Sequence, residues 1–102
     1  MSNEAFDDVT VTKRANVYYD GGVTSRTLVD DGARRTLGIM HPGDYEFETD
    51  CEEHLDLYAG RLEVTIDGET TTYEAGDSFI VPANTTFDVS VSDLVDYCCT
   101  YE

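Results

Sequence analysis

The feature that most constrains this chain is an alternation of apolar and polar residues, cut at short intervals by glycine-containing turns. Leu62, Val64 and Ile66 fall on one face of an extended segment and Arg61, Glu63 and Thr65 on the other. Phe87, Val89 and Val91 repeat the pattern against Thr86, Asp88 and Ser90. Asp67-Gly68 suits a type I′ hairpin turn, in which both central residues take positive φ. Asp20-Gly21 and Asp31-Gly32 are further turn marks. The pattern predicts strands over 15–19, 22–29, 34–40, 43–49, 54–59, 61–66, 70–74, 78–81, 86–91 and 95–101. No stretch holds the apolar spacing of a helix. So many short strands in 102 residues imply an all-β sandwich or barrel. A barrel removes sheet edges and leaves a mouth for a ligand. Two Gly-led strand pairs, 43–60 and 76–97, are consistent with the two Greek-key halves of a jelly roll.

The length fits one domain. Residues 1–8 are polar and expected to be loose, which leaves 9–102 as the folded unit. Twenty-two Asp and Glu face six Lys and Arg, a formal net charge of −16. That balance argues against nucleic acid and against anionic membrane surfaces, both of which need a basic face. No apolar run is long enough for a membrane span, and no signal peptide is expected, so the location expected is the cytoplasm. Such a charge repels itself in dilute buffer but is screened at roughly 1 M salt, where the Debye length is about 3 Å. Lys13 is the single lysine. Excess carboxylate with almost no lysine fits a protein working in concentrated salt; an ordinary acidic surface is the competing reading. Cys51, Cys98 and Cys99 are read as buried, reduced thiols, because adjacent strand residues point to opposite faces and cannot bridge. There is no CxxC pair to hold zinc.

The stretch EAGDSFIVPANTTF, with Pro82 six residues after Gly76, resembles the second sequence motif of the cupins. Pro42-Gly43, and Glu53 with Gly60 seven residues on, echo the first. Metal-binding cupins carry an HxH pair and a Glu in the first motif and a His in the second. Here HxH is absent, the second-motif His position is Phe87, and the motif's later Gly is Asn84. A longer resemblance runs through NVYYDGGVTSRT, DDGARRTLGIMHPGDYEF, EEHLDLYAGRLEV, YEAGDSFIVPANTTFDV and DYCCTY, roughly residues 6 to 101. In that order and spacing the segments resemble the pyrimidine/purine nucleoside phosphorylase family, small cupins that need no metal. The resemblance implies a single-domain, cupin-type jelly-roll barrel. It implies phosphorolysis of purine and pyrimidine nucleosides to free base and α-D-ribose 1-phosphate, with no cofactor. Gly22 and Arg35 stand where relatives often carry Lys, Glu52 where they carry Pro, and Leu55 where they carry Met.

In so acidic a protein a phosphate site requires a local cluster of cations. Arg26, Arg34 and Arg35 place three of the six within ten residues, and pairing of 22–29 with 34–40 would let them converge. The planar guanidinium suits two phosphate oxygens at once. Arg26 and Arg35 are favoured over Arg34; the competing role is pairing with surface carboxylates. Tyr45, Phe47, Phe79, Phe87 and Tyr97 are candidates to wall the base and sugar, although each also suits plain core. Glu53 falls on the cupin Glu position, which points into the barrel. With His54 it is a candidate acid for the leaving base. His54 faces the opposite way if the strand is regular, and His41 before Pro42 is expected to be exposed. No metal ligands are assigned. A homodimer is expected, as in other small cupins. The second reading is a non-catalytic cupin that binds a small sugar or anion. A metal-dependent oxygenase or isomerase is third, disfavoured by Phe87 and the missing HxH.

Overall fold

The computed structural model describes residues 4–102. Nine antiparallel strands run in chain order: β1 Thr10–Val11, β2 Asn16–Tyr18, β3 Val23–Asp30, β4 Ala33–Met40, β5 Gly43–Glu48, β6 Glu53–Ile66, β7 Glu69–Glu74, β8 Ser78–Val81 and β9 Thr86–Tyr101. The only helical element among the described residues is a 3-10 turn at Tyr19–Gly21. The ladder runs β1-β3-β4-β9-β6-β7, with β2 added to β3, β5 to β9 and β8 to β6. Part of the expected loose segment, residues 1–3, lies outside the described residues; residues 4–8 form no strand.

Three hairpins follow directly from turn chemistry. Asp67 and Gly68 both adopt positive φ (51° and 80°), as do Asp31 and Gly32 (50° and 83°). These are type I′ signs. At Tyr19-Asp20-Gly21 three successive residues take positive φ, so that connection is a wider turn than a two-residue loop. Asn84, at the position of the motif glycine, also takes positive φ (55°), which asparagine tolerates.

The sequence reading breaks two strands that the structure keeps whole. Segments 54–59 and 61–66 are one strand, β6, and 86–91 and 95–101 are one strand, β9. Gly60 marks a bend in β6 and not its end. The β6–β9 register shifts between Leu57 and Leu62, and Gly60 sits there at φ 89°. A Cβ on Gly60 would lie 2.1 Å from the Leu94 carbonyl oxygen, so the two backbones cross where only glycine fits. Both long strands thereby change partners along their length. β9 pairs with β5 over its first half and β4 over its second; β6 pairs with β8 and then β7.

The core lies between these layers. Leu62, Val64, Phe87, Val89 and Val91 are buried on the predicted faces, with Ile66 half-buried beside them, and Leu55, Leu57, Val81 and Val95 complete the core. Thr49 locks one end of the barrel. Its hydroxyl donates to the Pro82 carbonyl at 2.7 Å and accepts from the Thr85 backbone N–H at 3.0 Å. Cys98 and Cys99 are buried on opposite sides of β9, as alternation requires, whereas Cys51 is only half-buried.

Candidate active site

A cavity of about 670 Å³ opens at one end of the barrel. Its floor is apolar: Leu55, Leu62, Phe79, Phe87 and Val89. Phe47 packs on Phe87 with ring centroids 5.7 Å apart, and Phe79 is stacked from behind by Tyr73 at 4.3 Å. Phe87, at the position of a second-motif metal ligand, is therefore part of an apolar wall. Tyr97 leans across β4 because its register partner is Gly38, where a Cβ would lie 2.7 Å from the Tyr97 hydroxyl. The mouth is polar, lined by Tyr18, Tyr19, Arg34, Glu46, Glu48 and Asp50.

Between floor and mouth, polar groups form rows across adjacent strands. Arg34 on β4 is opposite Tyr101 on β9, which is opposite Glu53 on β6. The Arg34 guanidinium lies 4.2 Å from the Tyr101 ring centroid. One row deeper, the Thr36 and Tyr101 hydroxyls are 3.2 Å apart, and the Cys99 thiol donates to Glu53 Oε1 at 3.4 Å. On β2 and β3, the Asn16 amide donates to Ser25 (3.1 Å) and Thr27 (3.0 Å), both on the cavity wall.

Burial governs the titration of these groups. It pushes the Glu53 carboxyl above its usual 4.5; the Cys99 hydrogen bond and the Arg34 charge pull the other way without reversing it. Burial likewise pushes the Cys99 thiol and the Tyr97 and Tyr101 hydroxyls far up, so all three are neutral near pH 7.

The three arginines expected to converge do not. Side chains alternate along a strand, so Arg34 faces the cavity and Arg35 the outer surface. Arg35 pairs with Asp30 at 3.4 Å and donates to the Thr100 hydroxyl at 2.6 Å. Arg26 is also outside, with its guanidinium on the Lys13 carbonyl. The preference for Arg26 and Arg35 over Arg34 is thus inverted: among the described residues Arg34 is the one cation lining this cavity. Glu53 lines the cavity, as its alignment implies, and His54 faces out. His41 is exposed. Phe47, Phe79, Phe87 and Tyr97 line the cavity, but Tyr45 does not. Its hydroxyl donates to the His41 carbonyl at 2.7 Å and it packs behind Tyr19 and Phe47. Gly22 lies beside it, and a Cβ there would be 2.9 Å from that hydroxyl. The sequence reading missed Tyr101, Cys99, Thr36 and Asn16, whose places depend on register between distant strands. Outside the cavity, Glu52, His54 and Glu102 bring three donor atoms within 4.8 Å of one another, the one such cluster among the described residues.

Residues 13–101 match the sequence profile of the pyrimidine/purine nucleoside phosphorylase family. The chain belongs to that family. A pyrimidine/purine nucleoside phosphorylase of Hydrogenovibrio crunogenus is 50% identical over 99 residues, covering 94% of this chain and 95% of that protein. A like-named protein of Geotalea uraniireducens is 48% identical over the same shares. A crystal structure of a protein of unknown function from Acinetobacter sp. ADP1 superposes with a TM-score of 0.91 at 36% identity, covering 96% of this chain and 98% of that one. An RmlC-like cupin from Shewanella frigidimarina has a TM-score of 0.70 at 18% identity, covering 86% and 81%. That likeness bears on the fold alone, and the fold of this nucleoside phosphorylase family member is the cupin barrel predicted from its motifs.

Proposed function

We propose that this protein catalyses phosphorolysis of purine and pyrimidine nucleosides, giving the free base and α-D-ribose 1-phosphate. The observation that carries the reading is the pairing, in one cavity, of a single guanidinium at the mouth with an aromatic floor. Arg34 offers a planar fork to two phosphate oxygens. The floor of Phe79, Phe87 and Leu55 accepts the flat face of either base type without reading its edge. Asn16, Ser25 and Thr27 offer hydroxyl and amide partners to the sugar.

Chemistry follows from that placement. A phosphate oxygen forms a bond to C1′ as the C1′–N bond breaks, and the electron pair of the broken bond goes to the base nitrogen. The transition state carries positive charge on the ribosyl group and negative charge on the base. Glu53, held protonated more readily than an exposed carboxyl, supplies the proton or hydrogen bond that the leaving base needs. Positioning and electrostatics carry the rate, with no covalent enzyme intermediate.

Uridine and inosine are each incubated with the protein, with and without phosphate. Phosphate-dependent base release with a new sugar phosphate in the ³¹P spectrum is the expected result. Binding without base release would favour the non-catalytic module instead. The same reading places the protein in the cytoplasm as a homodimer. It takes the charge of −16 as adaptation to concentrated salt, so the melting temperature should climb from dilute buffer to molar NaCl. Light scattering at working salt tests the dimer.

A further inference from the structure

Arg34 and Glu53 sit one strand apart on either side of Tyr101, in a single cross-strand row on the cavity face. Neighbouring strands are about 4.8 Å apart, so the two backbones are separated by roughly 10 Å. A guanidinium and a carboxylate on long side chains can meet across that span. They do not meet. No ion pair joins Arg34 to a carboxylate among the described residues. The guanidinium lies instead over the Tyr101 ring, and the ring is tethered at its far end to the buried Thr36. Tyr101 thus lies between cation and acid in the row, with the cation held on its ring.

We propose that Tyr101 is a positioning residue: its ring holds Arg34 away from Glu53, which leaves the guanidinium open to an incoming phosphate and the carboxyl free of a cation partner. An Arg34–Glu53 pair would disable both partners together. The guanidinium would present an already occupied fork, and the carboxyl would be drawn toward its anionic form, the form that cannot donate. The role as a phosphate device rests on the phosphorylase reading; the separation of the two groups does not. The charged and titratable groups facing Glu53 are Arg34 from β4, Tyr97, Cys99 and Tyr101 from β9, and Asp50 from the turn before β6. Of these, only Arg34 is a cation that could take the carboxylate as partner.

The test uses Tyr101→Leu, Tyr101→Phe and the double variant Tyr101→Leu/Glu53→Gln, with Tyr101→Met in reserve should the leucine variant fail to fold. The first readout is the titration midpoint of the Glu53 side-chain carboxyl carbon by ¹³C NMR, in phosphate-free buffer. Loss of the ring should lower it by about one pH unit or more as Arg34 closes on the carboxylate. The second is calorimetric binding of inorganic phosphate. Tyr101→Leu should bind about tenfold more weakly, and the double variant should regain most of the loss because no carboxylate is left to capture Arg34. Tyr101→Phe keeps the ring and loses the hydroxyl's contacts with Thr36 and Cys99, so an intermediate weakening of about threefold is expected. In kinetics the loss should fall on KM for phosphate and spare KM for the nucleoside. A Glu53 midpoint that stays put in a folded Tyr101→Leu or Tyr101→Met variant overturns the proposal, as does absence of rescue in the double variant. A wild type that binds no phosphate, with the midpoint falling as expected, would uphold the separation and remove the phosphorylase reading.

Discussion

Strands β4, β9 and β6 carry two adjacent rows of residues that point to opposite faces. The inner row is Arg34, Tyr101 and Glu53; the outer row is Arg35, Thr100 and His54. In sequence the rows are one residue apart and chemically alike, each with an arginine, a hydroxyl and a titratable group. In space they are opposites. In the outer row each polar side chain has a polar partner, although Arg35 Nε itself makes no hydrogen bond: Arg35 is ion-paired with Asp30 and donates to Thr100, and His54 has Glu52 at 3.0 Å and Glu102 at 3.4 Å. In the inner row the cation rests on a ring and the acid accepts only from a thiol. Charge already satisfied by the protein is structure; charge held short of satisfaction is available to a substrate.

The sharpest way to break that contrast is to exchange the two arginines for alanine in turn. Arg34→Ala should remove a charge-assisted contact of roughly 1.5–3 kcal/mol, a ten- to hundredfold loss in kcat/KM for phosphate. Arg35→Ala should leave phosphorolysis of uridine and inosine near wild type. Equal losses, or losses in the reverse order, would return the phosphate to the outer face.

A second comparison concerns space behind the inner face. Gly38→Ala would drive a methyl into the Tyr97 hydroxyl and the Thr24 carbonyl, 2.4 Å away, and should cost about 1–3 kcal/mol in a urea melt. Its outward neighbour Leu37 is 37% exposed, and Leu37→Ala should cost less than about 1 kcal/mol. A Gly38→Ala melt overlaying wild type would show that Tyr97 is free to move aside.

The third effect is smaller and depends on pH. Burial raises the Glu53 carboxyl above 4.5, so across the window between that value and its native one the folded chain binds more protons than the unfolded chain. Stability contributed at this position therefore falls as pH rises through the window. Glu53→Gln should be more stable than wild type at pH 7 and no different at pH 4. Parallel stability curves for the two proteins would mean that the carboxyl is not desolvated. The smallest effect is expected outside. His54→Ala removes exposed contacts with Glu52 and Glu102 and should change stability by less than about 1 kcal/mol in dilute buffer.

The fold was largely legible because period-two patterning and Asp-Gly turns are local signals. Leu62, Val64, Phe87 and Val89 face inward as their alternation requires. Where the reading erred, at Gly60 and across 92–94, glycine and polar residues look like turns but serve a bend in an unbroken strand. The site was half legible. Glu53 and Phe87 stand on motif positions and are where the motif implies. Arg34 was ranked below Arg35 because a run of two arginines does not say which one points inward. Tyr101 was missed because its significance comes from being opposite Arg34 and Glu53, 67 and 48 positions away in the chain, and one chain's residue pattern does not reveal such a register.

The continuous β9 has a consequence for the order in which the protein comes into being. It follows all the other strands in the chain, and it supplies Tyr97, Cys99 and Tyr101 to the cavity while filling the gap between β4 and β6. Until it docks, Arg34 and Glu53 belong to strands that do not touch. A chain delivered N-terminus first therefore has no assembled cavity before β9 emerges: cavity and barrel are completed in the same event, the insertion of this strand. That event joins residues far apart in sequence, which makes it slow compared with hairpin formation. Refolding monitored by aromatic fluorescence and by recovery of activity should give one shared slow phase.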